Sequence, residues 1–320
     1  MSDKTPSPAP APAHNAYQPG AVLTPEMARL MRMASIASTA VAVLLIAAKA
    51  FAWWRTDSVS LLSSLLDSSL DLLASLVTLL SVRHALVPAD REHRFGHGKA
   101  EALAGLIQSG FIGASAVWLL ISAGQRFVSP RPVEAEAVGI AVMVGSIVLT
   151  LALVLFQRRV IARTNSMAIG ADSLHYKSDL LTNLGVIVAL LLSSRFGSPL
   201  ADPVIAALIG LYILKSAADI GIGAYNVLMD RELPEEARER IKAIVRGHPQ
   251  VRDMHDLRTR SSGMTTFIQL HMELDPQMTL SAAHVVGDEV EAAIREAFPN
   301  AEIIVHQDPE GVEEPRASFG

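Results

Sequence analysis

Long runs of apolar residues dominate the first 230 positions of the chain. Six runs reach about twenty residues, which is the length that a helix needs to cross the hydrocarbon core of a bilayer. Stretches rich in proline, glycine and charge separate them, among them "VPADREHRFGHGK", "VSPRPVEAE" and "RFGSPLADP". The pattern predicts six transmembrane helices, over residues 33–54, 58–84, 102–124, 137–157, 167–195 and 201–228.

The pattern changes after residue 230. The segment "LPEEARERIKAIVRGHP" has the spacing of an amphipathic helix, and "VRDMHDLRTRSSG" has the composition of a strand. In a second strand, Ile268, Leu270, Met272 and Leu274 alternate with polar residues. An amphipathic helix "LSAAHVVGDEVEAAIREAFP" and a third strand "AEIIVHQD" follow. This α-β-β-α-β order predicts a compact α+β domain over residues 231–309, with its helices on one face of a small sheet.

Two tails flank the predicted membrane domain (31–230) and the α+β domain. Residues 1–30 are rich in proline and alanine and lack the basic start and apolar stretch of a signal peptide. They are predicted to form a disordered N-terminal tail that leads into a short helical segment. Residues 310–320 are predicted to form a second, C-terminal tail.

Composition supports a membrane protein. Half of the 320 residues are hydrophobic, 18% are charged, and the mean hydropathy is +0.34. The formal net charge is −5 and no basic block is present, so nucleic acid is not an expected partner. The chain has no cysteine, which excludes disulfides and thiolate metal sites. Lysine and arginine are more frequent in the second and fourth loops between the spans, which predicts that both termini are cytoplasmic.

Two of the predicted spans carry ionisable residues. Asp67 and Asp71 are one turn apart on the second span, and His175 and Asp179 have the same spacing on the fifth. Each aspartate costs roughly 2.5–3.5 kcal/mol to insert into a membrane, so packing alone does not explain three of them. Together they supply four ligands of a type that suits tetrahedral Zn²⁺. Clustered carboxylates cannot all stay ionised without the metal, so metal release is expected to be coupled to proton uptake.

Other interpretations of these residues stay open at this point. The aspartates could hydrogen-bond neighbouring hydroxyls, or face water between packed helices. A zinc site could serve an intramembrane metallohydrolase, although three aspartates and one histidine fill a tetrahedron and leave no position for water. The chain could also be a membrane-anchored metal sensor, although a sensor has no need of three aspartates in the bilayer. We therefore expect a secondary transporter and not an enzyme.

Several motifs resemble those of the cation diffusion facilitator family, in particular its bacterial zinc and ferrous-iron efflux branch. They are "LLDSSLDLLAS", "PADREHRFGHGKAE", "ADSLHYKSD" and "HDLRTRSSGMTTFIQLHMELD" with "HQDP", and the likeness covers about residues 33–309. The resemblance implies a homodimer in the bacterial inner membrane, with six spans and a ferredoxin-like or metallochaperone-like cytoplasmic domain. It implies export of divalent metal in exchange for protons by alternating access. It also implies a transport site for Zn²⁺, with Fe²⁺ or Cd²⁺ as further candidates, formed by Asp67, Asp71, His175 and Asp179.

A second group of candidate ligands lies in the loop before the third span. Asp90, His93 and His97 occur at spacings that place them on one side of a turn or short helix. Histidines in a basic loop beside a membrane are also common in the headgroup zone without any metal. The resemblance implies a lesser metal site at these positions and leaves its role open.

A third group lies in the predicted C-terminal domain. His271 is on the strand face opposite the apolar row and His284 is on the polar side of its helix, so both are expected to face outward. Outward-facing histidines and an aspartate favour a metal site between subunits, and ordinary solvated residues are the alternative. The resemblance implies a two-metal Zn²⁺ site at the dimer interface, formed by His255, His271, His284, His306, Gln307 and Asp308.

Lys99 and Asp230 flank the predicted membrane domain on the side of its second and fourth loops. Lys99 opens the third span and Asp230 follows the sixth. The resemblance implies that this pair is a charge interlock at the hinge of the dimer. A snorkelling lysine and an unrelated helix-capping aspartate would explain the same positions.

Overall fold

The computed structural model of the protein describes residues 24–56, 59–128, 137–196 and 200–312. Most of the two predicted tails lies outside these residues. The first helix, α1 (Pro25–Thr56), begins inside the predicted N-terminal tail. Thr24 caps this helix, since its Oγ1 accepts a hydrogen bond from the Met27 N–H at 3.2 Å, and proline is favoured at the first helical position. These local signals extend the helix beyond its apolar run.

Six long helices form the N-terminal part of the chain. They are α1 (Pro25–Thr56), α2 (Val59–Ala85), α3 (Lys99–Val128), α4 (Ala137–Thr164), α5 (Met167–Phe196) and α6 (Ala201–Leu228). Within the described residues, five helices are long and apolar enough to cross a membrane. In α5, the second half carries the apolar run "LLTNLGVIVALLL". The first half of α5 carries Asp172, Lys177 and Asp179, yet α5 contacts each of the other five helices. The predicted six-helix membrane domain is therefore confirmed, and the ionisable half of α5 is packed among the other helices.

Small residues allow α3 and α6 to pack closely. A Cβ at Gly221 of α6 would lie 2.8 Å from Ser109 Oγ of α3, and a Cβ at Gly210 would lie 2.9 Å from Leu120. Glycine at these two positions lets the helices approach, as in many membrane interfaces. Polar side chains instead occupy the contact between α2 and α5, where Ser75 Oγ is 2.8 Å from Tyr176 Oη. The apolar α3–α6 pair thus supports a polar α2–α5 pair.

The C-terminal domain has the predicted α-β-β-α-β order. Its elements are α7 (Glu235–Arg246), β1 (Asp253–Ser262), β2 (Thr265–Leu274), α8 (Leu280–Ala297) and β3 (Ala301–Pro309). The sheet order is β1-β2-β3, antiparallel between β1 and β2 and parallel between β2 and β3. The predicted apolar row of β2 is buried against Ile241 of α7 and Val286 of α8. The helices therefore cover one face of the sheet and leave its other face for polar residues.

The loop before α3 rests on the C-terminal domain. The rings of Phe95 and Phe267 are 5.5 Å apart between centroids, and the Arg260 guanidinium lies over both, at 4.7 Å and 4.5 Å. Gly98 abuts the β1–β2 turn, where an added Cβ would lie 2.3 Å from the Ser262 carbonyl oxygen. Only glycine fits this approach of backbone to backbone. The loop that carries Asp90, His93 and His97 is thus held against the domain.

Candidate metal sites

Asp71 on α2 faces His175 and Asp179 on α5. One ligand atom from each side chain lies within 4.8 Å of the others. His175 Nε2 is 2.8 Å from Asp71 Oδ1 and 3.9 Å from Asp179 Oδ2. Zn²⁺ takes nitrogen and oxygen ligands at about 2 Å, so the ligand atoms around one ion lie roughly 3–3.5 Å apart. The three side chains are therefore close to the arrangement that one dication needs.

Asp67 is the predicted transport-site residue that the structure does not bring into this group. It lies one turn before Asp71 on the same face of α2, and its side chain is exposed. Three ligands leave one position of a tetrahedral site for another group. The structure thus brings together three of the four predicted residues and leaves the fourth one helical turn away.

A lysine that was not predicted to be functional lies beside this group. Lys49 on α1 donates hydrogen bonds to Ser68 Oγ at 2.6 Å and to the Ser64 carbonyl oxygen at 3.3 Å. Its charge acts on both Asp67 and Asp179. The sequence already indicated a role for Lys49, because an ionisable residue inside a membrane span is costly whether its charge is positive or negative. The signal is weak by position alone, because a lysine near the end of a span can also snorkel to the surface.

The loop residues Asp90, His93 and His97 form a second group, with ligand atoms within 4.8 Å of one another. Asp90 lies 3.4 Å from His97 Nε2 and 3.5 Å from His93 Nδ1. The His93 backbone N–H donates to Asp90 at 2.7 Å and holds the pKa of this carboxyl below its usual range. His97 is buried, and its ring packs edge-on against His84 at 4.5 Å. His84, in the last turn of α2, therefore adjoins this group.

Three strands bring the third group together in the C-terminal domain. His255 on β1 is opposite His271 on β2, and His271 is beside His306 on β3. Asp308 Oδ2 lies 2.8 Å from His271 Nδ1 and 3.6 Å from His255 Nε2. Asp308 Oδ1 lies 3.1 Å from His306 Nε2. One carboxylate thus contacts three imidazoles on the sheet face that the helices leave uncovered.

Within one subunit, the structure does not bring all of the predicted C-terminal residues together. Asp308 lies on the uncovered face of the sheet but is only 5% exposed, because the three imidazoles cover it. His284 lies apart from the group on α8, where its side chain is 72% exposed. Gln307 Nε2 lies against Gly287 of α8, on the opposite face of the sheet. Alternation along β3 explains this, because Gln307 lies between His306 and Asp308 and so points the other way.

Glu273 belongs to the same sheet face and was not predicted. Its Oε1 lies 3.0 Å from His255 Nδ1, and the strand register pairs Glu273 with Asp308. The signal was present in the sequence, since Glu273 follows His271 by two residues in a strand and therefore shares its face. The group is thus more acidic than the predicted set of ligands.

Lys99 and Asp230 form an ion pair between the start of α3 and the end of α6. Lys99 Nζ is 2.9 Å from Asp230 Oδ1, and the Arg260 guanidinium of β1 is 3.4 Å from the same oxygen. Partial burial raises the pKa of Asp230, but the hydrogen bond and charge of Lys99 outweigh it and hold this pKa below its ordinary value of 3.8. One carboxylate therefore joins the membrane domain to the C-terminal domain.

The lowered pKa of Asp230 predicts how this junction depends on pH. Its contribution to stability is present above the ordinary value of 3.8 and is lost as the pH falls through the lowered pKa, so it is constant between about pH 5 and 8. Asp230→Asn should raise amide hydrogen exchange at the start of α3 about two- to fivefold, because half-exposed pairs contribute only ~0.5–1 kcal/mol. Asp253→Asn removes an exposed pair with Arg246 and is the matched control. Equal exchange in the two variants would contradict the assignment.

Comparison with known proteins covers both parts of the chain. Residues 35–229 match the family model described as the cation efflux transmembrane domain, and residues 233–310 match the cytoplasmic domain of cation efflux proteins. The cation-efflux pump FieF of Pectobacterium atrosepticum is 50% identical over 287 residues, which is 90% of this chain and 95% of that protein. FieF of Shewanella oneidensis is 50% identical over 283 residues, or 88% and 95%. A solved CzrB structure is 34% identical and covers 25% of this chain and 99% of that chain, with a TM-score of 0.24.

The first family match covers the membrane helices and the second covers the C-terminal domain. They identify the chain as a multi-pass membrane transporter of divalent metal cations and not as an enzyme. The two FieF proteins share half of their aligned residues with it over nearly their full length. The chain therefore belongs to the cation efflux family, the cation diffusion facilitators that its motifs resemble.

Proposed function

We propose that this protein exports Zn²⁺ from the bacterial cytoplasm in exchange for protons, with Fe²⁺ and Cd²⁺ as further substrates. The observation that supports this proposal best is the 2.8 Å distance between His175 Nε2 and Asp71 Oδ1. At this distance a proton on the imidazole nitrogen can be donated to the carboxylate oxygen. The same nitrogen and oxygen are the atoms that would bind the metal. Metal and proton therefore compete for one pair of atoms, so that binding of one requires release of the other.

Asp67 is proposed to be the fourth ligand during part of the transport cycle. Asp67 and Asp71 share α2, and His175 and Asp179 share α5, so a small movement of one helix against the other changes the ligand set. Alternating access then exposes the site first to the cytoplasm and afterwards to the outside. Both termini and the α7–β3 domain lie in the cytoplasm in this orientation, in the bacterial inner membrane.

Lys49 balances the charge of the proposed site. Three carboxylates, one ammonium and one dication carry no net charge when the imidazole is neutral. Two protons in place of the dication preserve that balance. A neutral site can change its exposure inside the membrane without carrying net charge through a low dielectric, where an uncompensated charge is costly. Lys49 thus makes both the loaded and the protonated states neutral.

Lys49→Gln tests this role. The amide can still donate to Ser68, but the fixed positive charge that repels a bound dication is lost. We expect the variant to bind Zn²⁺ about tenfold more tightly at about pH 8, where protons compete least, and to release it more slowly. Lys49→Arg keeps the charge and should resemble the unmodified protein. Titration calorimetry measures the affinity, and equal affinities in the two variants would contradict the charge-balance argument.

The C-terminal group is proposed to bind Zn²⁺ between the two subunits of a homodimer. His306 is 61% exposed while its neighbour Asp308 is 5% exposed, so the group has one open side. His284 and Gln307 do not reach the group within one subunit, and a second copy is the proposed source of contacts to them. The loop group is proposed to bind a further metal ion at the contact between the loop and the C-terminal domain.

Flux measurements in vesicles test the proposed function. The purified protein is placed in proteoliposomes with a metal-sensitive dye and a pH-sensitive dye inside, and a panel of Zn²⁺, Fe²⁺, Cd²⁺ and Mn²⁺ is added under an imposed pH gradient. Metal and proton signals of opposite direction are expected, largest for Zn²⁺. Metal flux that does not depend on the gradient would contradict proton exchange. Metal binding without any flux would favour a membrane-anchored sensor.

A further inference from the structure

A buried polar cluster lies between the transport site and the side of the membrane that carries the C-terminal domain. Its central residue is Asp172 on α5, which is 0% exposed. All of its members are 0–1% exposed, and together they come from five different helices. The buried polar cluster consists of Asp172 with Ser38, Ser75, Thr78, Gln108, Gln157 and Tyr176.

Asp172 shares one face of α5 with the transport-site residues. Positions 172, 175 and 179 are three and four residues apart, so Asp172, His175 and Asp179 form a column along the helix. The N-terminus of α5 adjoins Glu101 of α3, whose carboxylate accepts a hydrogen bond from the Met167 N–H at 3.0 Å. Glu101 is two residues after Lys99, which contacts the junction with the C-terminal domain. Asp172 therefore lies on the cytoplasmic side of His175.

The cluster has more hydrogen-bond acceptors than donors. Gln157 Nε2 donates to Asp172 Oδ2 at 2.7 Å, and Gln108 Nε2 donates to the Ala74 carbonyl oxygen and to Thr78. Among the described residues, five buried side-chain atoms have no hydrogen-bond partner, and three of them are oxygens of this cluster. These are Asp172 Oδ1, Gln157 Oε1 and Gln108 Oε1. Unsatisfied buried acceptors are rare in folded proteins and call for a missing donor.

One proton on Asp172 supplies that donor. An amide that donates to one oxygen of a carboxylic acid is placed to accept the proton on the other oxygen. Protonated Asp172 and Gln157 can thus form a ring of two hydrogen bonds, which satisfies Oδ1 and Oε1 together. An ionised carboxylate at this position would be buried among neutral amide and hydroxyl donors, with no cation of the described residues beside it but His175, which is costly in a low dielectric. The chemistry of the cluster therefore favours a neutral acid.

The groups that face Asp172 fit a proton better than a metal ion. The titratable groups near it are His175 and Tyr176 on its own helix. Each of the helices α1 to α4 contributes an uncharged residue to the cluster, namely Ser38, Thr78, Gln108 and Gln157. One carboxylate among amides and hydroxyls is a poor ligand set for Zn²⁺.

Hydroxyl groups continue the cluster beyond Asp172. Ser38 Oγ is 2.8 Å from Ser75 Oγ, and Ser75 Oγ is 2.8 Å from Tyr176 Oη. Hydroxyls both donate and accept, so such a row can pass a proton although it is too closely packed for a hydrated metal ion.

We propose that Asp172 is a second proton-binding site of this transporter, which carries protons between the transport site and the cytoplasm. The proposal rests on the proposed proton exchange and adds the path that the proton takes. Asp172 binds the proton at Oδ1, donates a hydrogen bond to Gln157 Oε1 while the proton is held, and releases it toward the cytoplasmic side. Metal and protons then leave the transport site by different routes.

Asp172→Asn is the discriminating variant, because asparagine can form the same two-bond ring with Gln157 but cannot release a proton. We expect proton flux driven by a Zn²⁺ gradient to fall at least tenfold in proteoliposomes. The Zn²⁺ affinity of the transport site should stay within about twofold of the unmodified protein. Asp172→Glu should recover part of the flux. Asp219→Asn, which removes an exposed carboxylate paired with Lys215 on α6, is the control and should leave flux unchanged.

Two results would overturn the proposal. Normal flux in Asp172→Asn would reduce Asp172 to a hydrogen-bond partner of Gln157, and loss of Zn²⁺ affinity together with flux would indicate a structural role. The failure of proton exchange in the unmodified protein is a separate result, because it contradicts the proposed function itself.

Infrared spectroscopy tests the proposal without changing Asp172. The carbonyl band of a protonated carboxylic acid should be present in Glu101→Gln protein that is saturated with Zn²⁺, because this variant lacks the buried Glu101 carboxyl and bound metal keeps the carboxylates of the metal sites ionised. Its absence there would overturn the proposal. The band should disappear when Asp172→Asn is added.

Discussion

Replacing Asp71 by alanine should abolish metal-driven proton movement in proteoliposomes and lower the Zn²⁺ affinity of the transport site about 100-fold or more. Asp71 Oδ1 is 2.8 Å from His175 Nε2, so its loss removes a metal ligand and the acceptor of the imidazole proton at once. Changes in residues that only support metal ligands already lower affinity 10–100-fold. The loss of a direct ligand should cost at least as much. Asp179→Ala should have the same direction of effect, since it removes another carboxylate of the group.

The matched control for Asp71→Ala is Ser69→Ala on the same helix. Ser69 Oγ donates a hydrogen bond to the Leu65 carbonyl oxygen of the same helix, at 2.9 Å. Its loss should leave flux and affinity unchanged. Size-exclusion chromatography and circular dichroism show whether each variant remains folded. Folded Asp71→Ala protein that still exchanges Zn²⁺ for protons at the normal rate would refute the transport site.

Replacing Asp308 by asparagine should lower the Zn²⁺ affinity of the C-terminal group about 100-fold. Its carboxylate contacts His255, His271 and His306 at 3.6 Å, 2.8 Å and 3.1 Å, so three imidazoles lose their common anionic partner. Titration calorimetry on the full chain measures this best in the Asp71→Ala background, where the transport site no longer contributes. Transport by Asp308→Asn alone should become slower without being abolished, because the transport site is intact.

Asp288→Asn is the control for this prediction. Asp288 is an exposed carboxylate on α8 that lies 3.7 Å from His284, away from the three imidazoles. Its loss should change the affinity of the C-terminal group less than twofold. Unchanged affinity in Asp308→Asn, or an equal loss in both variants, would show that Asp308 does not organise the group.

The fold followed from periodicity in most of the chain. Apolar runs predicted the six helices and the alternation of Ile268, Leu270 and Met272 predicted a strand with one buried face, because both depend on local spacing. A short helical segment was expected at the end of the N-terminal tail, but its start at Pro25 was not specified, since a cap at Thr24 extends a helix regardless of hydrophobicity. The first half of α5 was predicted correctly as helix, although it carries Asp172, Lys177 and Asp179.

The candidate sites divide in the same way between local and tertiary information. The pairing of His175 with Asp179 follows from helical spacing. Their approach to Asp71 was predicted because an ionisable side chain without a partner is costly inside a membrane. The separation of Asp67 from this group depends on side-chain torsions and helix rotation, which spacing does not encode. The burial of Asp308 depends on imidazoles contributed by three strands, and no single segment contains that information.

Lys49 and Asp172 were overlooked for different reasons. Lys49 is the one charged residue in a long apolar stretch, where a single lysine also fits a snorkelling position. Asp172 precedes His175 by three residues within a motif whose other members had an evident role. Both became visible through their surroundings, namely two serine residues of α2 around Lys49 and the unpaired oxygens around Asp172.

The strand register of the C-terminal domain has a mechanical consequence. His271 pairs with His306 and Glu273 pairs with Asp308, while Gln307 points to the opposite face. Sliding β3 by one residue along β2 would turn His306 and Asp308 into the hydrophobic interior and bring Gln307 to the polar surface. A metal ion bound by side chains from all three strands would resist that slippage, because it cross-links the strands in one register. The loaded sheet should therefore withstand a pulling force better than the empty one, and should rupture in a single step.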